Sequence, residues 1–189
     1  MRLFLTEDSG SALLEFAISL PLLVVFVVGI YDFSGAFNQK QKIEQAAQEG
    51  AIIAGAQPMS DIGSGNGNPQ SLLPVVTAVF NSLASSAVLP NGTPCVPPGT
   101  VLHDTNTSNL KWSYTISSCS GTFANDNLII TIDRGLVLAS SAPATVGTVV
   151  TVVYPYHWQF NRVIQLLIPG ANYAAITQLT ERATVQNQM

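Results

Sequence analysis

The run SGSALLEFAISLPLLVVFVVG, residues 9 to 29, limits the fold more than any other part of the chain. From Leu13 to Tyr31 the residues are apolar or small apart from one charge, Glu15. The stretch is about as long as the roughly 20 residues a helix needs to cross a hydrocarbon core of about 30 Å. A secretory signal peptide would also begin here, with the small residues Ser34, Gly35 and Ala36 before Phe37 as its cleavage site. The apolar run exceeds the roughly 7 to 15 residues of a signal core, and Met1 to Ala12 offers Arg2 against Glu7 and Asp8. A membrane span over about 13–31 is therefore expected.

The segment that follows continues with a helical pattern. Ala36, Ile43, Ala47, Gly50 and Ala54 recur at three, four or seven residue steps, and Gln39, Lys40, Gln41, Lys42, Glu44 and Gln48 fill the other faces. One helix over residues 11–56 would reach about 69 Å at 1.5 Å per residue. Pro21, Gly29 and Gly35 are places where it could bend, and a break near Gly35 with a separate second helix is the alternative.

Past Gly55 the composition shifts. GAQPMSDIGSGNGNPQ reads as a loop, placing a linker at 57–70, and its glycines miss the G-x-G-x-x-G spacing of a phosphate cradle. Leu72, Val76, Val79, Phe80 and Leu83 then share one helical face before Pro90 and Asn91-Gly92. LKWSYTIS (110–117), NLIITID (127–133) and VGTVVTVVYPY (146–156) read as strands, HWQFNRVIQLLIP as a helix, and NYAAITQLTERATVQ as a last extended segment. The expected class is α+β: residues 71–189 form a mainly antiparallel sheet with covering helices, with parallel pairing of the last strand left open.

Charge and motif content narrow the function. With a net charge of -4 and only 10% charged residues, the chain has no basic stripe for phosphates, so nucleic acid is not expected as a partner. His103 beside Asp104, with His157, is the nearest approach to a catalytic set. No G-x-S-x-G or H-E-x-x-H accompanies it, and HDTNTSN reads as a polar surface loop. No enzyme, cofactor or metal site is expected. Cys95 and Cys119, the only cysteines, lack a C-x-x-C or metal-ligand spacing; they are read as a disulfide in an exported domain, or else as two buried thiols.

The span leaves the question of Glu15. A carboxylate near a helix end can reach the headgroups, whereas one in lipid ordinarily faces a cationic partner. A cut after Gly10 would put a new α-amine on Ser11, one turn from Glu15. Gly10, Ser11-Ala12-Leu13-Leu14, Glu15 and Phe16 resemble the signal of type IV pilin-like prepilins, a Gly followed by Glu at the fifth mature position and an aromatic at the sixth. With Ser19-Leu20-Pro21, the Gly29 to Phe33 exit and the Ala-rich helix, residues 9 to 56 closely resemble the TadE-like module of minor pseudopilins in tight-adherence (Flp/Tad) pilus machines.

The resemblance implies a leader at 1–10, removed by a prepilin peptidase between Gly10 and Ser11, and an N-terminal helix at 11–56 that is both anchor and packing surface. It also implies Glu15 meeting the N-terminal amine of a neighbouring subunit. The implied partners are the peptidase, other pilin or pseudopilin subunits, the inner-membrane assembly platform and the lipid bilayer. The implied location is the bacterial inner membrane, single-pass, with the C-terminal domain outside the cytoplasm. Lys40 and Lys42 after the span, against Arg2 before it, run opposite to the positive-inside bias. The alternative function is a membrane-tethered or secreted ligand-binding domain.

Overall fold

The computed structural model describes residues 8–62, 67–90, 95–104, 110–119, 126–139, 145–160, 170 and 176–188. Helix α1 runs Asp8–Ala56 without a break, through Pro21, Gly29 and Gly35. A 3-10 turn, Gln70–Leu72, leads into α2, Leu73–Ser85. Five strands follow: β1 (Thr100–Asp104), β2 (Lys111–Ile116), β3 (Leu128–Ala139), β4 (Thr145–His157) and β5 (Ile176–Gln186). The chain divides into two compact units, residues 1–37 with 157–176, and residues 38–156 with 177–189.

In the second unit the strands form one sheet in sequence order. The first three pairings are antiparallel in register, with Trp112 opposite His103 and Ile132, and Thr131 opposite Ser113 and Thr151. The end of β5 lies beside the start of β4: Asn187 N–H donates to Val146 O, and the backbone oxygen of Val185 closes on Gly147. The last pairing is therefore antiparallel too, which settles the direction the sequence left open.

Strand alternation sends Trp112, Tyr114, Ile116, Leu128, Ile130, Ile132, Val150, Val152 and Tyr154 to one buried face. There they share a core with Val75, Val76, Val79 and Leu83 of α2 and with Ile43, Ala46, Ala47, Ala51 and Ala54 of α1. Removing a Val or Leu side chain from water contributes about 1.5–3 kcal/mol each. Small residues on α1 let it approach closely: a Cβ at Gly50 would lie 2.4 Å from Val79 Cγ2.

Two local features differ from the sequence reading. HDTNTSN is not wholly a surface loop, because His103 and Asp104 close strand β1. Strand β3 runs six residues beyond Asp133, to Ala139, because an irregularity between Asp133 and Leu136 re-aims the chain rather than ending it. Gly135 N–H donates to Asp133 Oδ1 there, and Arg134 turns inward. Of the helix expected over residues 157–169, only 157–160 are described: His157 closes β4, Phe160 is helical, and the rest lies outside the described residues.

Candidate functional site

The amino-terminal half of α1 carries an uninterrupted exposed apolar surface. Its most apolar 18-residue window has a mean hydropathy of 2.5, and none of that window is buried. Leu13, Leu14, Phe16, Ile18, Leu22, Leu23, Phe26 and Ile30 all face outward. A helix with such a surface all round is built for a lipid or protein surround rather than for water. The hydroxyl within it is handled locally: Ser19 Oγ donates to the Phe16 carbonyl at 3.2 Å. Pro21 lacks a donor, a loss that membrane helices tolerate. A single-pass membrane anchor is compatible with this helix.

The residues singled out from the sequence lie at its start. Gly10, Ser11, Glu15 and Phe16 are all exposed on α1, with Glu15 one helical turn from Ser11. Among the described residues nothing lies within 4 Å of a Cβ built on Gly10, and its φ is not positive, so neither their packing nor the backbone conformation requires glycine there.

At the carboxy-terminal end of the apolar run the structure shows a feature that sequence reasoning passed over. Asp32 is 2% exposed, and Phe160 N–H donates to its Oδ2 at 2.8 Å. Both residues belong to the first unit, which joins the start of the chain to residues 157–176. Beside them is an open groove of about 740 Å³, lined by Val25, Phe26, Gly29, Ile30, Phe33 and Phe160 among others. Asp32 is the first charge after Glu15, but nothing local to it announces a partner 128 residues away.

The remaining candidates lie elsewhere. His103 stacks on Trp112, ring centroids 4.8 Å apart and nearly parallel, while Asp104 pairs with Lys111 at 3.3 Å. As strand neighbours their side chains leave the sheet on opposite faces. His157 ends β4. Among the described residues, no group of three or more His, Cys, Asp or Glu is placed to hold a metal ion.

Cys95 and Cys119 are buried thiols with no disulfide between them in this structure. Cys119 Sγ lies 3.3 Å from the Ile116 carbonyl. Burial pushes the Cys119 thiol well above its ordinary value, and a hydrogen bond with the Cys95 side chain adds to the shift.

Residues 10–51 match a family model described as TadE-like protein. The likeness is confined to this N-terminal segment. The TadE-like match lies wholly within α1, covering the exposed apolar surface, Glu15, Asp32 and the first part of the stripe that enters the core. The α2 helix and the sheet lie outside the TadE-like segment. No curated protein and no solved structure matches the chain.

Proposed function

We propose that the chain is a minor pilin or pseudopilin, a structural and non-enzymatic component of a Tad/Flp-type pilus machine that supports filament assembly, adhesion or secretion. The observation that carries this reading is the coincidence of the TadE-like match with an apolar, outward-facing helix whose only carboxylate between Gly10 and Asp32 is Glu15. The helix anchors the protein in the bacterial inner membrane, with the C-terminal α+β domain outside the cytoplasm.

A prepilin peptidase cuts between Gly10 and Ser11. A glycine that the fold itself does not require suits a position read by a peptidase. The mature α-amine then sits at the tip of an apolar helix, and Glu15 presents a carboxylate one turn away. In lipid, an unpaired carboxylate is costly, so Glu15 draws the α-amine of an adjacent subunit at the assembly platform and sets the register of helix packing. Outside the cytoplasm, oxidation of Cys95 and Cys119 is allowed, and closing that loop stabilises the domain by about 3 kcal/mol in the chain-entropy picture.

The test is Glu15→Ala in the native cell. Processing at Gly10 is expected to stay largely intact while incorporation into the pilus machinery falls. Unchanged pilus output from correctly processed Glu15→Ala protein contradicts the pairing role.

A further inference from the structure

The groove beside Gly29 and the Asp32–Phe160 hydrogen bond belong to one unit and sit at one level of α1, the end of its apolar run. Asp32 follows Tyr31, the last residue of the expected span. A carboxylate at that depth is costly unless donors meet it, and here a backbone N–H does so with the side chain enclosed. The same bond fixes the height of the turn that follows β4: Phe160 is held at the span's exit, and Trp158 is two residues away.

Among the described residues that line the groove, none carries a charge. Its walls continue the lipid-type surface of residues 13–30, and Gly29 leaves its floor open, with nothing within 4 Å of a Cβ built there. Exposed Tyr31, Phe33 and Phe37 stand around the same exit. Aromatic residues gather at the depth where acyl chains meet headgroups, and Trp is favoured there because its ring is apolar and its N–H polar.

We propose that residues 157–160 form a second membrane contact, with Asp32 as the positioning residue that holds the turn against α1. Trp158 and Phe160 then lie at the acyl–headgroup boundary, and the groove beside Gly29 is filled by phospholipid acyl chain. The proposal rests on the membrane-anchor reading of α1 and adds to it a partner for a segment far away in sequence.

The chain has two tryptophans, Trp112 enclosed in the core of the second unit and Trp158. This makes fluorescence quenching a direct test. The full chain is reconstituted in phosphatidylcholine–phosphatidylglycerol vesicles whose acyl chains are brominated either near the headgroup or near the chain end. Wild type is compared with Trp158→Phe, which isolates the Trp112 signal. A Leu22→Trp, Trp158→Phe variant reports separately on the middle of the span.

The Trp158 component is expected to be quenched more by bromine near the headgroup, and Leu22→Trp more by bromine near the chain end. Asp32→Ala is expected to lose the Trp158 quenching. Asp32→Asn, which keeps an acceptor oxygen, is expected to retain it. If Leu22→Trp is quenched while Trp158 is indifferent to brominated lipid, the second contact is wrong and the span stands. If neither is quenched, the membrane reading falls with it. Quenching of Trp158 that persists in Asp32→Ala overturns the positioning role.

Discussion

Glu15 and Arg134 show two opposite treatments of a charge. Glu15 stands exposed on an apolar helix, where the proposed function has a neighbouring subunit's amine meet it. Arg134 is fully enclosed on β3, and its guanidinium donates to the carbonyls of Gln57 and Pro58 at 2.8 and 3.1 Å, where the chain leaves α1. It thereby supplies a cation and donors to a helix end that has no basic residue in its last turn. Burial lowers the affinity of Arg134 for its proton, and the nearby Asp61 carboxylate works against that. The same cluster reaches Tyr114, whose phenol is pushed up to about 12 by burial and then by the charge of Asp61. The fold therefore favours the neutral phenol. Its contribution to stability is fully present below about pH 10 and is lost as pH rises toward about 12. Tyr114→Phe is expected to flatten the pH dependence of the unfolding midpoint across that interval. An unchanged slope would show that Tyr114 is not the group responsible.

At the scale of elements, α1 joins two chemistries in one helix. From Leu13 to Tyr31 its surface is apolar on every side apart from Glu15 and Ser19. From Ala36 onward, a stripe of Ala, Ile and Gly is buried while Lys40, Gln41, Glu44 and Gln48 stay exposed. The stripe was legible in the sequence because Ala36, Ile43, Ala47, Gly50 and Ala54 follow helical spacing, and all five are buried. The α2 face was equally legible, except that Val75 joins it and Phe80 is only half-buried. Strand β1 was not, since TVLHD is short and runs into polar residues, and its pairing with β2 is a tertiary fact that no local pattern carries. The Asp32–Phe160 and Arg134–Gln57 bonds were hidden for the same reason: each joins residues far apart in sequence. Gly50→Ala tests the close approach of α1. The added Cβ meets Val79 Cγ2 at 2.4 Å, and the overpacking cost of about 1–3 kcal/mol exceeds the roughly 1 kcal/mol gained in helix propensity. Thermal unfolding is expected at lower temperature, with partial recovery in a Gly50→Ala, Val79→Ala double variant. A rise in midpoint for Gly50→Ala alone would contradict the packing.

For the whole molecule, the TadE-like segment and the sheet carry different parts of the account. Residues 10–51 carry the likeness on which the proposed role rests: the matched segment is also the exposed apolar helix with an acid near its start. The sheet buries its own core with α2 and the stripe of α1, and in it the thiols of Cys95 and Cys119 lie side by side. The central claim is that this chain matures as a pilin does. Intact mass and amino-terminal sequencing of the protein taken from its native cell envelope test it most directly. A chain that starts at Ser11 and is two hydrogens lighter than the dithiol form is expected. A chain that still begins at Met1, or one that begins near Phe37, would contradict it.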